Sequence, residues 1–199
     1  MRCAATRHRD SAPSAHRRQL GRVLVCAGLA LALGSASVLA GEPELINFDL
    51  VHNDEGLLLS YGVDLELSHS VEDALSKAVP LFFVAEVEVF RHRWYWRDER
   101  VGYAVRRWRI VFQPLTASYR VTFDGGLSQN YASRPEAFAA ISRGVHWKVA
   151  DNLQIEDGAS HYAEFSFRLD TSQLPRPMQI GIGGQADWSM SVQRTQKIN

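Results

Sequence analysis

The side chains that could do chemistry in this sequence are a set of histidines, a pair of glutamates and a run of arginines and aromatics. Beyond residue 40 the histidines are His52, His69, His92, His146 and His161. None lies two, three or four positions from another, so no single strand or helix presents two imidazoles to one metal ion. Glu86 and Glu88 alternate, which places both carboxylates on one face of a strand, as general acid–base chemistry would require. Arg109 on a facing strand would turn Glu88 into half of an ion pair instead. No serine has the Gly-x-Ser-x-Gly setting of an activated nucleophile. Gly181-Ile182-Gly183-Gly184 lacks the lysine and following helix of a phosphate loop and reads as a turn at a strand edge. No catalytic residue, metal ligand or cofactor is assigned on these grounds. A hydrolase would have to assemble its site from distant residues.

What remains is Arg91-His92-Arg93-Trp94-Tyr95-Trp96, followed by Tyr103 and Arg106. Guanidinium forks hold carboxylates and phosphates, and tryptophan and tyrosine supply large, rigid contact area. Arg91, Arg93, Arg106, Trp94, Trp96 and Tyr103 therefore form the candidate binding patch. The geometry that unites them is a long hairpin. Residues 81–96 and 101–113 are apolar-rich runs flanking Arg97-Asp98-Glu99-Arg100. With those four residues as the loop, partners are positions whose numbers add to 197, so Trp94 faces Tyr103, Trp96 faces Val101 and Glu88 faces Arg109. At the strand bases the apolar face is then Ala85, Val87 and Val89 with Trp108, Ile110 and Phe112. Towards the tip the apolar side changes over, and Arg91, Arg93 and Arg106 occupy the first face, with Arg91 opposite Arg106. A ribbon spanning two layers of a sandwich accounts for that exchange, and so does a patch open to a ligand. Facing like charges repel unless something negative lies between them. The counter-charge is either internal, from Asp170 or Asp187, or an external anion.

The elements that must position these residues are mainly strands. In Leu57–Leu67 the odd positions are apolar or aromatic while the even ones drift to Ser60, Gly62, Asp64 and Glu66. Similar alternation runs through Tyr119-Val121-Phe123, Val145-Trp147-Val149, Phe165-Phe167-Leu169 and Trp188-Met190-Val192. Turn signals separate these runs at Asn53-Asp54, Asp124-Gly125-Gly126, Glu156-Asp157-Gly158 and Gly183-Gly184. Two short helices interrupt them. One begins at Ser70 and stops at Pro80; the other opens with the capping box Ser133-Arg134-Pro135-Glu136, turns Phe138 and Ile141 inward and closes at Gly144. Leu174-Pro175-Arg176-Pro177 reads as an extended connection. The fold class is mainly β, an antiparallel β-sandwich or strongly twisted sheet of about eight or nine strands with two short helices.

Charge and cysteine usage bound the setting. The chain of 199 residues has 22 Lys+Arg and 22 Asp+Glu, but six of the arginines and a single acid, Asp10, lie in residues 1–40. Residues 41–199 therefore hold 16 bases and 21 acids, a net charge of −5, which argues against a generic nucleic-acid or anionic-membrane binder. Residues 1–40 have the three parts of an export signal: a basic stretch to Arg22, an apolar run from Val23 to Leu33, and small residues ending Val38-Leu39-Ala40. The alternative is an inner-membrane anchor formed by residues 23–40. Cleavage after Ala40 leaves a single periplasmic β-rich domain, residues 41–199. Both cysteines, Cys3 and Cys26, depart with the leader, so no disulfide, internal or to a partner, can form.

The chain also resembles a family. The carrying residues are Glu72-Asp73-Ala74-Leu75 with Val79-Pro80-Leu81, Arg91-His92-Arg93-Trp94-Tyr95-Trp96, Pro114-Leu115-Thr116, Leu169-Asp170, Gln173-Leu174-Pro175-Arg176-Pro177 and Asp187-Trp188. Together they resemble a proteobacterial family of exported proteins known as domain of unknown function 4390. Such proteins are often encoded beside a membrane sensor kinase for nitrogen regulation. The resemblance thus implies a role in envelope signalling and a sensor kinase or other envelope protein as partner, and implies no catalytic residues. One position departs from the family pattern: Ala78 stands where a glycine is expected before Val79-Pro80. The expected function is a non-enzymatic binding or interaction module of the cell envelope. Mass spectrometry of the exported protein should find an N-terminus at Gly41; an intact N-terminus in washed membranes would instead mark residues 23–40 as an anchor.

Overall fold

A computed structural model describes residues 43–155, 158–182 and 186–198. The expected leader, its cleavage site and the turn at Glu156-Asp157 lie outside them, as do Gly183 and Gly184. The described part contains nine strands in two antiparallel sheets. The smaller sheet has the order β1 (Glu44–Asn53), β2 (Gly56–Asp64), β7 (Arg143–Ala150). The larger has the order β6 (Ser128–Tyr131), β5 (Ser118–Phe123), β4 (Glu99–Gln113), β3 (Leu81–Arg91), β8 (His161–Leu169), β9 (Ser191–Ile198).

Alternation drives the pairing. Leu57, Leu59, Tyr61 and Val63 of β2 are buried, as are Leu81, Phe83, Ala85, Val87 and Val89 of β3 and Ala163, Phe165, Phe167 and Leu169 of β8. Each strand thus has one apolar face to hide, and the two sheets hide theirs against each other. Aromatic rings carry the contact between layers. Phe165 of β8 meets Tyr61 of β2 at 4.8 Å and Phe48 of β1 at 5.4 Å between ring centroids. Phe83 stacks on Phe167 at 5.8 Å and takes the edge of Phe138 at 5.8 Å, where α2 (Arg134–Ile141) covers the end of the core. Near the start of β4 the layers come close: a Cβ on Gly102 would sit 2.9 Å from Ala150 Cβ, so this position admits no side chain without pushing β7 away.

Three helices close the ends. α1 (His69–Ser76) is capped by Ser68, two residues earlier than the Ser70 expected from sequence. Ser68 Oγ accepts from the Val71 amide at 3.2 Å and donates to the Asp187 carbonyl at 2.7 Å, while Ser70 Oγ donates to the Asp187 carboxylate at 2.8 Å. Both serines therefore tie α1 to the turn at Ala186–Trp188. α2 is capped by Ser133 as expected, and it ends at Ser142, before Gly144. The third helix, α3 (Arg176–Ile182), corrects the extended reading of Leu174-Pro175-Arg176-Pro177 and the strand-edge turn at Gly181-Ile182. Prolines at the start of a helix cost nothing, because the first amides have no helical partner anyway, and the Pro175 carbonyl accepts from the Met178 amide at 2.9 Å.

The departure at Ala78 has a visible conformational effect. Just after α1, Ala78 adopts φ of +61°, the left-handed region that a Cβ disfavours. Its amide donates to the Leu75 carbonyl at 2.9 Å, so the residue ends the helix from a strained backbone. Ala78→Gly should stabilise the domain by about 0.5–1 kcal/mol, after allowing for the greater freedom of glycine in the unfolded chain. Thermal unfolding should show this as a rise in Tm of roughly 1–4 °C.

Candidate functional site

The candidate patch depends on how β3 and β4 pair, and that pairing differs from the expected one. Partners add to 191, as in Leu81 with Ile110, Ala85 with Arg106 and Glu88 with Tyr103. A bulge between Val89 and Phe90 then brings Phe90 opposite Arg100 and Arg91 opposite Glu99. Trp94 and Trp96 leave the ladder and join residues 92–98 of the connecting loop, so neither faces Tyr103 or Val101. The exchange of faces and the opposition of Arg91 and Arg106 disappear with the old register. Glu88 does not pair with Arg109: it accepts from Arg100 at 2.6 Å, and Glu86 accepts from Arg168 at 2.9 Å.

The six predicted residues fall into three places. Tyr103 lies on the outer face of the larger sheet, where the Arg100 guanidinium sits 5.3 Å from its ring and Glu86 accepts its hydroxyl, holding the phenol above its ordinary range. Arg106 points the other way, between the sheets, 4.7 Å above the Trp147 ring. Partial burial holds the Arg106 guanidinium below its ordinary value. Nearby, burial pushes the Tyr61 phenol up to about 12, against the pull of Arg106. Arg91, Arg93, Trp94 and Trp96 remain together, at the tip.

The tip is a loop locked by two consecutive acids. Glu99 takes both Arg91 and Arg93, so the counter-charge is internal, and it is neither Asp170 nor Asp187. Asp170 caps the turn after β8 by accepting from the Ser172 amide at 3.1 Å, and Asp187 is held by α1. Asp98 closes the loop on itself. Its carboxylate accepts from the Arg93 amide at 3.0 Å and from the Tyr162 hydroxyl at 2.8 Å, and lies 3.1 Å from His92 Nδ1. The His92 amide donates to the Ser160 carbonyl at 2.8 Å. Behind the loop, Tyr162 of β8 stacks on Phe90 at 5.3 Å. Burial and then the Asp98 bond push the Tyr162 phenol up to about 12. The bonds from Arg93 and Tyr162 hold Asp98 below the ordinary carboxylate range, and those from Arg91 do the same for Glu99.

Three aromatic rings ride on this base. Trp94 is 89% exposed, Tyr95 67% and Trp96 74%, so none is a core residue. The other tryptophans, Trp108, Trp147 and Trp188, are buried. The sequence signal for this site was the aromatic-arginine run itself. Asp98 and Glu99, which hold it, were read as loop residues and their role was missed.

With that geometry established, the family can be stated. The chain belongs to the family described as Domain of unknown function (DUF4390), whose model matches residues 40–198. No curated protein and no solved structure matches the chain. The family match covers every residue of the tip and of the strands that carry it.

The acid lock makes the loop pH-dependent. Both carboxyls titrate below their ordinary values when folded, so their stabilisation is complete above about pH 5 and is lost as pH falls through the lowered values. Amide relaxation of residues 93–97 should show an ordered loop at neutral pH that loosens in acid before the strands do. Asp98→Ala should loosen it at neutral pH, with faster hydrogen exchange at the Arg93 amide and little change in β8.

Proposed function

We propose that this domain is a non-enzymatic interaction module of the cell envelope, and that it engages its partner through the loop of residues 92–98. The observation that carries the reading is the pairing of opposites at the tip. Trp94 and Trp96, at 89% and 74% exposed, hold large apolar surfaces in water, while Asp98 and Glu99 fix the backbone beneath them. Exposing such rings costs free energy that a contact would recover, and a pre-ordered loop loses little entropy on binding. Tryptophan, tyrosine and arginine are also the residue types that dominate binding energy at interfaces. The carboxylates beside the patch are already committed, Glu99 to the Arg91 and Arg93 guanidiniums and Asp98 to the Arg93 amide and the Tyr162 hydroxyl, which favours binding over catalysis. Two kinds of partner suit a projecting aromatic loop: an envelope protein, such as the extracytoplasmic part of a membrane sensor kinase, and the membrane surface.

The test is the double variant Trp94→Ala/Trp96→Ala, titrated against envelope extracts with crosslinking and against membranes. Its stability should stay within about 0.5 kcal/mol of the parent, because neither ring packs in the core. Capture of its partner should fall roughly 30-fold, the loss expected when about 2 kcal/mol of interface contact is removed. A variant that binds as well as the parent would remove the tip from the function.

A further inference from the structure

From the chemistry of the tip we infer that its partner is a lipid bilayer surface, with Trp94, Tyr95 and Trp96 seated at the headgroup level; this rests on the interaction reading above. Three consecutive residues each exposed by two-thirds or more make a projection, not a recess. A bilayer accepts a projection of any outline, whereas a protein partner must offer a matching groove. The residue types agree. Tryptophan and tyrosine combine an apolar ring with one hydrogen-bonding group, the combination that settles at a membrane–water interface. Trp94 and Tyr95 meet edge to face at 5.2 Å, so these two rings form one continuous apolar surface.

The backbone and charges beneath the rings suit lipid as well. The His92 amide is bonded to Ser160 and the Arg93 amide to Asp98, so both donors point back into the protein. These two amides at the base of the loop thus need no partner from the lipid, and hydrocarbon would offer them none. Asp98 is bonded to the Arg93 amide and Tyr162, and Glu99 to Arg91 and Arg93, so neither carboxylate approaches a surface unpaired. Arg97 is exposed beside Trp96 and has no ion-pair partner among the described residues, which leaves the tip locally cationic on a domain of net charge −5. A cation next to interfacial aromatics is compatible with phosphate headgroups of either zwitterionic or anionic lipid.

A second apolar side chain leaves the same end of the sandwich. Ala150 ends β7 directly over Gly102, three residues into β4, and Leu153 follows in the next turn with 96% exposure. The opposite end supplies a control. Leu115 is fully exposed in the turn after β4, at the far end of that strand from the tip.

The experiment is flotation of the domain, residues 41–199, with vesicles of phosphatidylcholine alone and of phosphatidylcholine doped with phosphatidylglycerol, followed by tryptophan emission and quenching by brominated lipid. The parent should float with both, with blue-shifted emission quenched from the bilayer. Trp94→Ser/Trp96→Ser should lose about tenfold or more of the bound fraction, and Leu115→Ser should lose none. Asp98→Ala, which keeps every ring but frees the loop, should bind more weakly than the parent. Failure of the parent to float with either vesicle overturns the inference, as does an equal loss in Leu115→Ser, which would indicate general stickiness. If the parent ignores vesicles while an envelope protein crosslinks in a Trp94- and Trp96-dependent way, the bilayer is excluded and the interaction reading stands. If neither signal depends on the tip, both readings fall.

Discussion

Every other strand pairing in the larger sheet is measured from β3. Its inward residues Leu81, Phe83, Ala85, Val87 and Val89 are all 0% exposed, and its backbone is bonded on both sides, to β4 and to β8. A strand with no free edge and one dry face cannot slide by a single residue without turning five apolar side chains outward. That constraint fixes which faces of β4 and β8 turn inward, and the observed pairing places the loop of residues 92–98 at the end of β3. It also sets Tyr162 of β8 opposite Phe90, so that its hydroxyl is in place to meet Asp98. The exposed rings are thus held from the core outward, through a stacked pair and one carboxylate.

The sheet architecture was legible because alternation is a local signal. Leu57 through Val63 and Phe165 through Leu169 show on the chain which side chains are to be buried, and the structure buries them. The hairpin register was not legible, for a reason that follows from the same signal. Sums of 197 and 191 differ by six, an even number, so both registers pair the same inward positions with inward positions. Alternation has period two and is blind to such a shift. What decides between them is the length of the loop, and there the aromatics misled. Trp94, Tyr95 and Trp96 have high strand propensity, which extended the first strand on paper, while the ion pairs of Asp98 and Glu99 hold the same residues in a wider loop. Propensity yielded to a few specific polar contacts that only the folded chain assembles.

The candidate site was partly readable on the same terms. Residue type placed Trp94, Trp96, Arg91 and Arg93 together correctly, because they are neighbours in sequence and need no register. Tyr103 and Arg106 were joined to them only through the wrong pairing, and the structure sends one to the outer face and the other between the sheets. The need for a negative group near the arginines was sound electrostatics, but the carboxylate that accepts from them is Glu99, at the start of the next strand, and not one from a distant loop. Ala78 shows the converse case: a family expectation of glycine, with no reason visible in the sequence, acquires one once the backbone there has φ of +61°.

The order of strands in the larger sheet has a consequence for how the chain comes together in time. β3, near the middle of the sequence, lies beside β8, so that Phe83 pairs with Leu169 across 86 residues and Arg91 with His161 across 70. The apolar face of β3 therefore has one neighbour early, β4, and waits for the other until most of the chain has emerged. β9, the last of the described strands, is the one that covers the other edge of β8. Closure of long loops is slow, and a sheet built this way cannot seal its core from the N-terminal half alone. The larger sheet therefore rests on pairings of high sequence separation, and the core beside β3 is incomplete until β8 has joined it.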